Sequence, residues 1–121
     1  MLDFSYSEEQ KILEDTVKKF TKNEIIPVCL EFENDLEGKL ADEIFEKAAK
    51  IGILGTVVPK EYGGAGGRGI EANIVLENLS YGDVGIGCAI GANWWAQTAI
   101  LMRGSQGLRD ESGFQRANSG L

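Results

Sequence analysis

The chain has 121 residues, a formal net charge of −7, two cysteines and no histidine. This length predicts one domain, and the lack of any Lys or Arg cluster argues against nucleic acid or anionic membrane surfaces as partners. The two distant cysteines argue against a structural zinc site. The acidic start MLDFSYSEEQ lacks the apolar core of a secretory signal, which favours the cytoplasm or, in a eukaryote, the mitochondrial matrix.

The first predicted helix begins with a recognisable cap. Ser7 and Gln10 have the spacing of a capping box, and the two glutamates between them favour the positive end of the helix dipole. Apolar residues then recur at helical spacing, while Pro27 predicts a kink. We therefore expect one long kinked helix over residues 7–34, whose apolar positions include Ile12, Leu13, Val17, Phe20, Val28 and Phe32.

A glycine- and proline-rich crossover, GILGTVVPKEYGGAGGRG, occupies residues 52–69. It separates a second predicted helix, 40–51, from a third, 69–81. Gly52 is suited to end the second helix in the left-handed conformation. Val57 and Val58 predict an extended backbone before Pro59, and the glycine pair after Tyr62 allows a tight reversal.

The fourth predicted helix covers residues 84–102, and Asp83 is placed to cap it. These nineteen residues carry no charge, which is typical of either a central bundle helix or a membrane span. Polar residues and Trp94–Trp95 near the middle, rather than at an interface, favour the central buried helix. The tail, 104–121, predicts only a weak fifth helix carrying Leu108 and Phe114. The fold class is thus all-α: an up-down bundle of about four main helices, a weak C-terminal helix and the crossover.

Sites for chemistry are scarce in the pattern. Residues 64–69 match GxGxxG before a helix, but the βαβ context of a dinucleotide loop is missing. Asp42, Glu43 and Glu46 are better explained as acidic residues on a surface helix than as a metal cluster. We therefore predict no catalytic, cofactor-binding or metal-binding residue in the chain.

One candidate for binding remains on the fourth helix. Gly87, Gly91 and Trp95 are spaced by four and share a face. The missing side chains at the two glycines would leave a groove, and the large ring of Trp95 would bound it on one side. Close helix–helix packing at the glycines, with Trp95 in the core, explains the same pattern. The residues alone leave both interpretations open.

Several segments together resemble the N-terminal helical domain of acyl-CoA dehydrogenases. They are the S-x-E-Q start, EIIP at 24–27, KIGILGTVVPKEYGG at 50–64, ANIVLENLSYGD at 72–83 and AILMRGS at 99–105. The resemblance covers roughly residues 3–105, and its specificity lies in the order and spacing of these segments. It implies that residues 1–121 form this first domain, without the middle β-domain and the C-terminal helical domain.

The resemblance also implies an activity for the complete enzyme. Such flavoenzymes oxidise an acyl-CoA thioester to the α,β-enoyl-CoA with FAD, using a glutamate from the C-terminal domain, and electrons commonly pass to electron transfer flavoprotein. It assigns the wall of the acyl pocket to Phe32, Gly87, Cys88, Gly91 and Trp95. The two glycines would deepen the channel and Trp95 would block part of it, so no chain length is predicted.

We expect the isolated chain neither to bind FAD stoichiometrically nor to turn over acyl-CoA. Apolar surface left uncovered by the other domains predicts self-association. A different hypothesis is a free-standing interaction protein that docks its apolar helix on a partner. A third hypothesis is a single-span membrane protein.

Overall fold

The computed structural model describes residues 1–111, and across this range it is all-α with no strand. Five α-helices follow one another in the chain: α1 Glu8–Phe20, α2 Lys39–Lys50, α3 Gly69–Gly82, α4 Val84–Arg103 and α5 Gln106–Glu111. Helices α2, α3 and α4 begin and end within one or two residues of their predicted bounds. Helix α1 begins as predicted but ends early, at Phe20. The predicted fold class is confirmed.

The capping box at the start of α1 is present. The Ser7 hydroxyl accepts a hydrogen bond from the Gln10 amide at 3.2 Å, and the Gln10 side-chain oxygen accepts one from the Ser7 amide at 2.9 Å. Two amide groups that the first turn cannot pair internally are thereby satisfied.

The predicted kink near Pro27 takes the form of a change in helical winding. After α1, the helix widens into a π turn over Thr21–Ile25 and then tightens into a 3-10 helix over Ile26–Asn34. A proline has no amide hydrogen to donate, and its ring clashes with the carbonyl four residues earlier. The α-helical hydrogen-bond pattern is therefore interrupted around Pro27, while the chain stays helical to Asn34.

The crossover consists of short turns. Gly52 and Gly63 take the left-handed conformation, with φ of 82° and 86°, as the predicted helix end and reversal require. The extended backbone predicted at Val57 and Val58 is wrong: the Val58 amide donates to the Gly55 carbonyl at 3.1 Å, closing a turn. Local turn hydrogen bonds outweigh the extended preference of the β-branched residues.

The core lies where α3 packs between α1 and α4, with α2 and the crossover closing one side. Every main element contributes buried apolar side chains to it. The apolar residues with the least exposure are Val17, Ile25, Ala48, Val58, Ile74, Val75, Leu79 and Ile90.

The prediction that α4 is the central buried helix is wrong. One stripe of α4 is buried, containing Ile86, Ile90 and Trp94, whereas Trp95 and Met102 on other faces are 74% and 69% exposed. The central position in the bundle belongs to α3. The predicted cap is confirmed, because the Asp83 carboxylate accepts the Ile86 amide at 2.9 Å. Within residues 1–111, no helix combines the length and apolar character needed to cross a membrane.

The weak fifth helix is present as α5. The Gln106 side-chain amide donates to the Tyr62 hydroxyl at 3.1 Å, which joins α5 to the crossover. Phe114 lies outside the described residues.

Candidate functional site

The two glycines of interest on α4 are packed closely against α3. A Cβ atom at Gly87 would lie 2.1 Å from the Ser80 hydroxyl oxygen, and one at Gly91 would lie 3.1 Å from the Leu76 Cδ2 atom. The absent side chains thus let the two helices approach each other. The packing interpretation accounts for Gly87, because the Ser80 side chain occupies the space that a Cβ would need there.

A cleft of about 340 Å³ lies beside Gly91, between α3, α4 and the crossover. Its size is at the lower end of small-molecule sites. Trp95 forms an exposed wall, and Leu76 reaches the glycine from α3. The residues that line it are Val57, Gly67, Arg68, Gly69, Ala72, Leu76, Gly91, Trp94, Trp95 and Thr98.

The two adjacent tryptophans have different roles. Trp94 is 4% exposed, and its indole nitrogen donates to the Leu54 carbonyl at 3.1 Å. This hydrogen bond joins α4 to the crossover, so that the next residue, Trp95, points away from the core. Trp95 is therefore available as a wall of the cleft, whereas Trp94 mainly holds its base.

Gln97 lies close to this hydrogen bond and is 5% exposed. Its side-chain nitrogen is 3.5 Å from the Leu54 carbonyl, which already accepts from Trp94. Its side-chain oxygen has no hydrogen-bond partner among the described residues. A buried acceptor without a partner is costly to the folded state.

Of the five residues assigned to the acyl pocket by resemblance, Gly91 and Trp95 line the same cleft. Gly87 is buried against Ser80, and Cys88 is exposed on the outer side of α4. Phe32 packs partly buried against the core at the end of the 3-10 helix and is not among the lining residues.

Sequence reasoning missed the residues that α3 and the crossover add to the cleft. Ala72 and Leu76 are four residues apart on α3, on the side next to buried Val75 and Leu79. Their helical spacing was visible, but which neighbouring helix they would face was not. Arg68 supplies a cation at the cleft and comes from the glycine-rich loop.

The GxGxxG segment is unsuited to hold a phosphate group, because its amides are engaged internally. The amides of Ala65, Gly66 and Gly67 donate to crossover carbonyls at 2.8 to 3.0 Å, and the Arg68 amide donates to the Glu71 carboxylate at 2.7 Å. A phosphate loop needs such amides to face the ligand. The amides of residues 65–68 are therefore not free to bind a phosphate.

Glu71, next to the cleft residue Ala72 on α3, has a carboxyl group whose pKa is shifted. The hydrogen bond from the Gln10 side chain lowers the pKa of its carboxyl, with a further contribution from the Arg68 amide. In residues 1–111, no group of three His, Cys, Asp or Glu side chains is placed to hold a metal ion.

The geometry defines an all-α domain with an apolar cleft between its third and fourth helices. Residues 7–112 match the family model for the acyl-CoA dehydrogenase N-terminal domain. The chain therefore belongs to the acyl-CoA dehydrogenase family, as its N-terminal domain.

Curated relatives agree with this membership. The chain is 30% identical over 105 residues to the probable medium-chain specific acyl-CoA dehydrogenase 2, mitochondrial, of Caenorhabditis briggsae, covering 87% of this chain and 25% of that protein. It is 33% identical over 87 residues to the mitochondrial isovaleryl-CoA dehydrogenase of Pongo abelii, covering 72% and 21%. It is also 37% identical over 78 residues to the acryloyl-CoA reductase (NADH) of Anaerotignum propionicum, covering 64% and 19%.

A solved structure shares the fold over nearly the whole chain. It is described as the electron transferring flavoprotein of Acidaminococcus fermentans, and one of its chains matches with a TM-score of 0.83 and 25% identity. The match covers 98% of this chain and 31% of that one. The chain spans about a quarter of the length of the curated relatives.

Proposed function

We propose that the chain acts as the first helical domain of a flavin-dependent acyl-CoA dehydrogenase, where it supplies part of the acyl-pocket wall and packs against the remaining domains. The observation that carries this proposal is the apolar cleft beside Gly91 and Trp95. It lies on the helix to which the family resemblance assigns the acyl pocket.

The proposed parent reaction is the α,β-dehydrogenation of an acyl-CoA thioester. FAD, held by the other domains, would supply the hydride acceptor, and the base would also come from outside this chain. The contribution of this chain is to bind the acyl group and exclude water from it. Apolar walls suit that role, because they favour burial of a hydrocarbon chain.

The dimensions of the proposed acyl site depend on two large side chains. Leu76 fills part of the space left by Gly91, with its Cδ2 atom 3.1 Å from the position of a Cβ. Trp95 bounds the same cleft from α4. The space that Gly91 adds is therefore narrower than the missing side chain alone would predict. Gly87, Cys88 and Phe32 would contribute only if the remaining domains extend the pocket past this cleft.

The surface of α4 that is exposed in this chain supports a covering partner. Val84 is 69% exposed, and Cys88, Trp95 and Met102 are exposed as well. An uncharged, exposed helix face marks a contact surface. In the proposed enzyme, the middle and C-terminal domains cover it. In the isolated chain, the same face would promote formation of homo-oligomers.

Electron transfer flavoprotein is the electron acceptor that we infer for the complete enzyme. This inference rests on the family resemblance, and the flavoprotein structure that shares the fold is consistent with it. The proposed location is the cytoplasm, or the mitochondrial matrix in a eukaryote. Two of the curated relatives are named as mitochondrial proteins.

The acyl-wall role can be tested on the chain itself by tryptophan fluorescence. Titration with butyryl-CoA and octanoyl-CoA should quench Trp95, whereas free CoA should quench it much less. Trp95→Phe should abolish the difference, and Leu36→Ala, a change at an exposed position in the loop between the 3-10 helix and α2, should preserve it. Equal responses to acyl-CoA and CoA would exclude this role for the cleft.

A second assay tests the prediction that the isolated chain is inactive. The purified chain should show no flavin absorbance, and acyl-CoA should produce no enoyl-CoA. Co-purifying flavin that bleaches when acyl-CoA is added would overturn this prediction.

The exposed face of α4 also favours the alternative of a free-standing interaction protein that docks through this helix. Inspection of the coding region downstream of Leu121 separates the two candidates. An in-frame β-domain supports the dehydrogenase, whereas a stop codon supports the interaction protein. The membrane-protein hypothesis receives no support from residues 1–111.

A further inference from the structure

A chain of three hydrogen bonds runs from the first turn of α1 to the first turn of α3, and one of them, between the Gln10 and Glu71 side chains, joins the two helices. The Ser7 amide donates to Gln10 Oε1 at 2.9 Å, Gln10 Nε2 donates to Glu71 Oε1 at 2.8 Å, and the Arg68 amide donates to Glu71 Oε2 at 2.7 Å. We call these four residues the clasp. Each of the three acceptor oxygens accepts one of these bonds, so that the Gln10 and Glu71 side chains each take part in two of them.

The clasp holds the last loop of the crossover, which is also hydrogen-bonded to earlier residues of the crossover. The amides of Gly66 and Gly67 donate to the carbonyls of Val58 and Thr56, each at 2.8 Å. A Cβ at Gly67 would lie 2.6 Å from the Thr56 carbonyl oxygen and 2.9 Å from the Glu71 Cβ. Glu71 thus packs directly against the loop whose next amide it binds.

The same loop is a wall shared by two cavities. Gly67 and Arg68 line the Trp95 cleft on one side. On the other side they line a second cavity of about 330 Å³, together with Gln10 and Glu71. A displacement of the clasp should therefore change the wall of the cleft that Gly67 and Arg68 form.

We propose that Glu71 is a positioning residue: by joining α1 to the loop residues Gly67 and Arg68, it sets the position of the wall that they form in the Trp95 cleft. The relevance of this wall to acyl binding rests on the proposed function. The positioning itself is a property of the folded chain and can be measured without any ligand.

The charged groups around Glu71 determine how the clasp responds to pH. Arg68 from the loop and Lys60 from the 3-10 turn Lys60–Tyr62 face it, as does Glu9 from α1. The Gln10 hydrogen bond, then the Arg68 amide, lowers the pKa of Glu71. A lowered pKa means that the clasp contributes fully above the ordinary glutamate pKa and is lost as the pH falls through the folded-state value.

An exchange of side chains between the two helices tests the clasp. In Glu71→Gln, an NH2 group replaces one of the two carboxylate oxygens, so the acceptor that faces either Gln10 or Arg68 becomes a donor and that bond is lost. The double variant Q10E/E71Q can form all three bonds again. Its carboxylate, now on α1, accepts from the Ser7 amide and from the side-chain amide on α3, whose oxygen in turn accepts from the Arg68 amide. Glu77→Gln, at an exposed position on the same helix, is the matched control.

Two measurements report on the clasp and on the wall. The first is hydrogen exchange of the Arg68 amide, corrected for its intrinsic pH dependence. We expect exchange to be about tenfold faster in E71Q, the factor for one lost charge-assisted hydrogen bond. The second is the ¹⁹F resonance of 5-fluorotryptophan at Trp95, assigned with Trp95→Phe, which should shift in E71Q. Both should return to the original values in Q10E/E71Q and stay unchanged in E77Q.

The pH profile provides a check that needs no variant. In the original chain, the Arg68 protection and the Trp95 resonance should change together as the pH falls below the usual glutamate range. In E71Q this common step should be absent. If Arg68 exchange is the same in E71Q as in the original chain, the clasp does not hold the loop. If Arg68 exchange accelerates but the Trp95 resonance stays fixed, or if the double variant restores neither signal, the positioning role is refuted.

Discussion

Replacing Gln97 with methionine should stabilise the domain. Gln97 is 5% exposed, and its Oε1 atom has no partner within residues 1–111. An unpaired buried acceptor costs about 1–3 kcal/mol. The hydrogen bond that would be lost is long, at 3.5 Å, and the Leu54 carbonyl retains its 3.1 Å bond from Trp94.

The other consequences of Gln97→Met are small. The two side chains have similar volumes and similar helix propensities. The net expectation is a gain of about 1 kcal/mol in the free energy of unfolding, which for a domain of this size raises Tm by about 4 °C.

Urea denaturation should measure this gain as a higher midpoint at an unchanged m value. Gln97→Glu has the same shape but buries a charge, so it should be strongly destabilising. If Gln97→Met instead lowers the free energy of unfolding by about 1 kcal/mol or more, then Oε1 makes a stabilising hydrogen bond in solution, and the reasoning is wrong.

Three further predictions concern α4. Gly87→Ala should lower the free energy of unfolding by about 1–3 kcal/mol, because its Cβ would lie 2.1 Å from the Ser80 hydroxyl. Adding Ser80→Ala to this variant should recover part of the loss, as measured by urea denaturation. If the effects of the two substitutions are fully additive, the clash is contradicted. Asp83→Ala removes the cap on the Ile86 amide and should cost about 1 kcal/mol by the same assay; no loss would mean that water replaces the cap. Trp95→Ala should change stability by less than about 0.5 kcal/mol, since Trp95 is 74% exposed, and a large thermal destabilisation would show that Trp95 is packed in solution.

Local signals in the sequence predicted most of the fold. Ser7, Gly52 and Asp83 marked helix ends correctly because each acts within a few residues of its own position. Pro27 predicted the break in α1 for the same reason. The extended stretch at Val57 and Val58 was the main local error, since turn hydrogen bonds in the crossover outweigh side-chain preference there.

The candidate site was only partly predictable. Gly91 and Trp95 share a face of α4 by simple helical geometry, and the structure places both at one cleft. Leu76 could not be assigned to it, because nothing in the spacing of α3 tells which helix its side chain will meet. The face of α4 that is buried was also hidden, since an uncharged helix carries no polar stripe to mark its outer side.

The sequence by itself thus determined where the helices begin and end, apart from the early end of α1, together with the all-α class and the family membership suggested by its ordered motifs. Only the tertiary structure decided that α3 is central, that Ser80 fills the space beside Gly87, and that Glu71 binds Gln10 across 61 positions of sequence. The physical reason is the range of the interactions. Caps and turns act over a few residues, whereas helix packing and the clasp depend on which faces meet in space.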